Sequence, residues 1–382
     1  MLPIADMLNA QGFTVVAIDA AKHGDRSFCT SGQTQINLGG NLFNQCAGSN
    51  VCTPLLPVGA QGDTNPIGTC APDAFNYLPV STSCLNPATG CNWGGAAGVP
   101  AVSSNYLVTA NFFRTRDTLR QDIIDQSQLV RAVAFVPSGA PPTGHNLFDY
   151  MVVRGFVIDP GVVYFMGQSL GAIQGTADVA ANPRISKAVL NVGGGTIVDI
   201  FTTSPAFVAT TNALLAQLGV TPGTPGFLQF LVVAKTVLDP ADPVNFAGHL
   251  QANTLPNLLA NPNGSVAQTA KSILTQAAYC DQVVPNPWNF VLDSNAGSTP
   301  MLLDPSFGGP GTFQLFYKDN GAPPNLTNCP APPGTGGTVP ATSVSHGFLL
   351  DFADAAITAR AQSDATAFLK AGTLPTSLVV LP

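Results

Sequence analysis

One pentapeptide constrains this chain more than any other feature: Gly167-Gln-Ser-Leu-Gly171, its only G-x-S-x-G. Among 382 residues with 38 glycines a chance match is easy, so the flanks decide its weight. Before it runs Val162-Val-Tyr-Phe-Met166, apolar and strand-forming; after it an Ala-rich segment to Ala181 reads as a helix. A strand turning directly into a helix is tight, and residues two before and two after the serine are expected to be small. Such a turn lifts the Ser169 hydroxyl off the sheet edge. It also makes the Leu170 N–H, at the helix start, a donor for a developing oxyanion. The bland alternative is a glycine-rich turn with a passive serine.

The rest of the chain alternates strands with helices. Residues 2–11 read as a short helix ended by Gly12, and Phe13-Thr-Val-Val-Ala-Ile18 as a buried strand. Leu119, Ile123, Val130, Val133 and Ala134 recur at helical spacing up to Pro137. Ala188–Val192, Ser272–Ala277 and Thr312–Tyr317 read as further strands. Phe201, Phe207, Leu214, Leu215 and Leu218 suggest one apolar-faced helix, and Phe227–Val233 another that is apolar nearly all round. The last helix, about 351–370, carries Ala353, Ile357, Ala361, Ala365 and Phe368 on one face, with Gly372 past its end. This alternation predicts an α/β class with a mostly parallel sheet flanked by helices.

A serine hydroxyl needs a general base. The histidines are His23, His145, His249 and His346. His23 and His145 precede Ser169, whereas a sheet built around such a turn places its histidine last. His249 falls in an apolar segment, so His346, in a loop before the final helix, is the candidate base. The acid is expected between serine and histidine at a strand end. Asp281 follows the strand at 272–277; Asp239 and Asp242 are its rivals, and Asp199, Asp293, Asp304 and Asp319 are also in range.

Composition narrows the class. Charged residues make up 9% and hydrophobic ones 45%, and mean hydropathy is +0.25, apolar for a soluble chain. No apolar run approaches the roughly 18 residues of a membrane span. The formal charge is −7, and 14 lysines and arginines form no basic run, which argues against nucleic-acid binding. Eight cysteines, six of them within the first 91 residues, lack the paired spacing of zinc sites. They suit disulfides and an oxidising, secreted or periplasmic setting, although no signal peptide opens the chain. Cys280 abuts the candidate acid and Cys329 lies in the loop leading to His346, so these two are expected to pair; the alternative is pairing with the N-terminal six. No cofactor and no metal site is expected.

These motifs resemble the α/β-hydrolase superfamily, and within it secreted bacterial lipases and carboxylesterases. The matching pieces are Ala17-Ile-Asp-Ala-Ala-Lys-His-Gly-Asp-Arg26, the turn at 167–171, Asp281-Gln-Val-Val-Pro285 and Ser343-Val-Ser-His-Gly347. The resemblance spans about 1–26, 110–195 and 270–372. It implies Ser169 as nucleophile, Asp281 as acid, His346 as base and Leu170 as one oxyanion donor, within an elbow of Gly167, Gln168 and Gly171. It implies a serine esterase; the apolar segment 196–270 favours an ester or lipid with an apolar acyl chain as substrate, and lipid-surface contact is expected with it. Alternatives are a non-catalytic protein of this fold that binds an apolar ligand, or an acyltransferase or peptidase with the same triad. The expected organisation is core (1–26), Cys-rich insertion (27–104), core with the elbow (105–195), helical cap (196–270) and core with acid and base loops (271–382). The segment 13–18 resembles the family's fourth strand, so the first strands and the second oxyanion donor are expected to be missing. A truncated precursor, weakly active or poorly soluble, is the expectation that follows.

Overall fold

The computed structural model describes residues 2–18, 28–31, 33–38, 41–46, 50–54, 67–72, 112–134, 147–302, 304–318, 329, 341–352 and 354–381. In chain order the elements are α1 (Leu2–Ala10), β1 (Phe28–Ser31), β2 (Gln33–Leu38), β3 (Asn41–Cys46), β4 (Asn50–Pro54) and β5 (Ile67–Pro72). Then come α2 (Phe112–Ala134), α3 (Leu147–Val153), β6 (Val163–Gln168), α4 (Leu170–Ala181), β7 (Ile185–Asn191), α5 (Ile197–Thr203), α6 (Val208–Gln217), α7 (Pro225–Leu238) and α8 (Val244–Ala247). The chain closes with β8 (Ser272–Ala278), α9 (Asn286–Asn295), β9 (Phe313–Lys318), α10 (Ala355–Ala371) and β10 (Leu378–Leu381). These residues fall into two units, 1–16 with 126–209 and 241–382, and 17–125 with 210–240.

The first unit is built on a sheet of five strands in the order β10-β9-β8-β7-β6, every pairing parallel. Successive side chains along a strand point to opposite faces. On one face Val189, Leu274 and Phe316 pack with Ile4 and Leu8 of α1 and with Ile357, Ala361, Ala365 and Phe368 of α10. On the other, Ala188, Leu190 and Ile273 pack with Ala172 and Val179 of α4, Ala247 of α8 and Leu292 of α9. Both faces are covered, which is why these strands read as nearly continuous apolar runs. The small residues of α4 let it sit close: a Cβ on Gly175 would stand 2.1 Å from the Phe165 ring. The fold class is thus α/β, a parallel sheet flanked by helices.

In the second unit, β1, β5 and β4 form one small sheet and β2 pairs with β3 in an antiparallel hairpin. Phe230 lies 5.9 Å from Phe112 and 6.3 Å from Phe227, ring centre to ring centre. Leu119, Leu214, Leu215, Ala234 and Leu238 are buried, whereas Leu228, Val232 and Val233 on α7 are exposed.

Several expectations are corrected here. Residues 13–18 form no strand: the Phe13 N–H closes α1 by donating to Leu8 O at 3.1 Å, and Val15 and Val16 are exposed. Phe13 packs against the core on the α1 side of the sheet, its ring against Tyr164 of β6. A β-branched run without a ladder partner has nothing to hold it as a strand. The single helix expected from Phe201 to Leu218 is two, α5 and α6, separated by Ser204-Pro-Ala-Phe207. Proline supplies no N–H to continue the first helix. The final helix starts at Ala355, where the Asp354 carboxylate caps it by accepting the Ile357 N–H. The segment Asp19–Arg26, His23, His145, Asp319 and the side chains of the six N-terminal cysteines lie outside the described residues.

Candidate active site

Three neighbouring strands end in residues held at positive φ: Ser169 just after β6 (55°), Val192 just after β7 (46°) and Cys280 two residues after β8 (52°). Non-glycine residues reach this region at a cost of about 1–3 kcal/mol each, and such strain gathers at functional sites. It gathers here at the carboxyl ends of parallel strands, where open α/β sheets bind ligands. The Ser169 backbone is anchored as it turns: its N–H donates to Asn191 O at 2.8 Å, and its carbonyl accepts from Ala172 and Ile173 as α4 begins.

Ser169, His346 and Asp281 come together in one hydrogen-bonded chain. His346 Nε2 lies 2.6 Å from Ser169 Oγ, and His346 Nδ1 lies 2.7 Å from Asp281 Oδ2. The Asp281 carboxylate is fully shielded from solvent, while the imidazole keeps 15% of its surface exposed. The other carboxylate oxygen, Oδ1, accepts the N–H groups of Val283 at 2.8 Å and Val284 at 3.0 Å. In this geometry the tautomer with its proton on His346 Nδ1 would donate to Asp281 Oδ2 and leave the Nε2 lone pair facing the serine hydroxyl. Leu170 opens α4, so its N–H belongs to the first turn and has no acceptor within the helix.

The rivals are placed elsewhere. Asp242 accepts the Ile197 N–H at 2.7 Å and the Val244 N–H at 3.1 Å, capping α5 and α8. Asp199 takes the Thr196 hydroxyl, Asp293 is buried against Thr275, and Asp304 holds a turn through Ser306. His249 donates from Nδ1 to the Asn253 carbonyl. Of the elbow glycines, Gly167 must stay small: a Cβ there would lie 2.3 Å from Gly171 O. At Gly171 a Cβ would meet nothing within 4 Å, so the expectation that both flanks require small residues is corrected for Gly171.

Sequence reading missed the groups that brace the loops. Asn286 accepts the Cys280 N–H at 2.8 Å and donates to Ala278 O at 2.7 Å, clamping the turn that presents Asp281. Asn289 accepts from Asn286 and donates to Gly193 O at 2.6 Å, joining the ends of β8 and β7. The one available signal was two asparagines three apart in the first turn of a helix. The expected Cys280–Cys329 disulfide is present, with its Cα atoms 5.1 Å apart. Among the described residues no three His, Cys, Asp or Glu side chains cluster to hold a metal ion. No described helix is long and apolar enough to cross a membrane.

No family model and no curated protein matches this chain. Among solved structures it is similar to a puromycin-hydrolyzing peptidase of Mycobacterium tuberculosis, with 16% identity and a TM-score of 0.32, over 60% of this chain and 24% of that one. It is also similar to acetyl xylan esterase 1 from Thermoanaerobacterium sp. JW/SL YS485, with 18% identity and a TM-score of 0.32, over 53% of this chain and 54% of that one. The similarity thus spans about a quarter and about half the length of those two proteins.

Proposed function

We propose that this chain is a serine hydrolase of the α/β-hydrolase type that cleaves carboxylic esters of apolar acids. One observation carries the reading: the unbroken hydrogen-bonded chain Ser169–His346–Asp281 at the carboxyl ends of a parallel sheet. Ser169 attacks the ester carbonyl as His346 Nε2 takes its proton. Asp281 holds the imidazole tautomer and stabilises the imidazolium. The Leu170 N–H donates to the oxyanion. His346 then returns the proton to the leaving alcohol, and water releases the acid from the acyl-serine by the same steps reversed. The apolar composition of residues 196–270 favours an ester with an acyl chain as substrate. The Cys280–Cys329 disulfide supports an extracytoplasmic setting.

A fluorophosphonate probe tests the nucleophile. Mass mapping should place the adduct on Ser169, and a non-catalytic binding protein should not label. Hydrolysis rates across p-nitrophenyl esters from acetate to palmitate then define the acyl preference. Ser169→Ala should lose activity by several orders of magnitude while keeping its melting temperature. Substantial hydrolysis by a folded Ser169→Ala protein would refute the assignment.

A further inference from the structure

Gln168 is the last residue of β6 and precedes the serine. Its side-chain Nε2 donates to the backbone carbonyl of His346 at 3.0 Å. The other bonds of the His346 loop come from elsewhere. The Val344 N–H donates to Tyr279 O at 3.0 Å, beyond the end of β8, and the Gly347 N–H donates to Ser345 Oγ at 3.2 Å within the loop. Among the described residues, Gln168 is therefore the tie from the strand carrying Ser169 to the backbone of the loop carrying His346.

Gln168 is also the end of a row. Strand register pairs Gln168 with Asn191, Asn191 with Gln276, and Gln276 with Gln314, so four adjacent strands carry an amide at one level. Three of these amides donate in a single direction. Asn191 Nδ2 donates to Gln276 Oε1 at 3.0 Å, Gln276 Nε2 to Gln314 Oε1 at 2.9 Å, and Gln314 Nε2 to Asp364 Oδ2 of α10 at 2.6 Å. Buried amides are costly unless paired, and this row spends its donors on its neighbours and on α10. Gln168 occupies the same level but turns its donor to His346.

We infer that Gln168 is a positioning residue whose amide fixes the His346 backbone relative to Ser169, so that the Ser169–His346 hydrogen bond is set from both sides. This rests on the reading of Ser169, His346 and Asp281 as a catalytic triad. Reacting groups tolerate little misplacement, an error of about 1 Å costing up to about 10²-fold in rate.

The test compares Gln168→Met, which keeps the side-chain length and removes the donor, with Gln314→Met, which breaks the far end of the row. Two readouts are taken: the kcat and KM of ester hydrolysis, and the downfield proton resonance of the His346 Nδ1–H against Asp281. Gln168→Met should lower kcat by about 10–100-fold with KM little changed. It should also shift the imidazole proton or speed its exchange. Gln314→Met should lower the melting temperature and leave both readouts in place. The inference is overturned if kcat or the imidazole proton is unmoved in Gln168→Met, or if Gln314→Met moves both as far. If the unsubstituted protein neither labels with the fluorophosphonate nor hydrolyses any ester, the hydrolase reading fails. The imidazole proton alone then decides whether Gln168 holds His346.

Discussion

At Ser169 the backbone takes φ 55° and ψ −120°, a conformation that only a well-braced turn sustains. Gly167 is part of that brace. An alanine Cβ there would come within 2.3 Å of Gly171 O and 2.5 Å of Gly171 C, both backbone atoms that cannot swing aside. Gly167→Ala should therefore destabilise the protein by about 1–3 kcal/mol and depress activity, as overpacking does. Gly171→Ala meets open space and should be tolerated; equal melting temperatures for the two variants would refute this. The acid can be tested as sharply. Asp281→Asn should cut kcat by about 10³–10⁴-fold, because the amide can donate to His346 Nδ1 and favour the wrong tautomer. Asp242→Asn, which alters a helix cap, should keep nearly full activity; the reverse result would move the acid to Asp242. That Ser169, Asp281 and His346 meet in one hydrogen-bonded chain was foreshadowed for Ser169 and Asp281 by the apolar strands they follow, and for His346 only by its place in the loop before the final helix. The roles of Gln168, Asn286 and Asn289 were not, since each depends on which carbonyl the fold brings alongside.

At the scale of elements, legibility followed burial. β6, β7, β8 and β9 stood out because a sheet covered on both faces favours nearly continuous apolar runs. The helix α9 was missed: in its sequence, Asn286-Pro-Trp-Asn-Phe-Val-Leu-Asp-Ser-Asn295, the polar Asn286, Asn289 and Asp293 are buried, so polar residues do not mark its solvent face. β10 was missed because four residues at a sheet edge give too short a pattern. The opposite error, at 13–18, arose because β-branched residues show a preference but not a partner. One contact between elements is open to measurement. Asp293 of α9 is buried against β8, and burial holds its carboxyl well above the usual carboxylate range, the Thr275 hydroxyl offsetting this only in part. A group with a raised folded-state pKa contributes stability at low pH that is lost as pH rises through that value. Asp293→Asn, which does not ionise, should therefore gain stability relative to the parent as pH rises from about 4. A difference in unfolding free energy that stays constant from acid to neutral pH would refute the argument.

For the whole molecule, the alternation of strands and helices was enough to predict a parallel α/β sheet, because both faces of such a sheet must be covered. The five short strands between residues 28 and 72 were not legible. They are rich in Asn, Thr, Gln and Cys and carry little of the alternation that marks a half-buried strand. The Cys280–Cys329 pair was legible, because a chain that builds its site from two distant loops gains from tying them together. That bridge closes a loop across a sequence separation of 49 and should stabilise the native state by about 4 kcal/mol on the chain-entropy argument. Its effect on the site should be smaller. The Cys280 N–H is held independently by Asn286 Oδ1, Asn286 also donates to Ala278 O, and the Asp281 carboxylate is fixed by the N–H groups of Val283 and Val284. Each of these bonds survives removal of the sulfurs. The double variant Cys280→Ser/Cys329→Ser should therefore unfold at lower urea, with a steeper denaturant dependence as its unfolded chain expands. At 25 °C it should keep a kcat close to the parent's. An unchanged urea midpoint would show that the bridge adds no stability. A lost kcat in the folded variant would show that the disulfide, not Asn286, holds Asp281 in place.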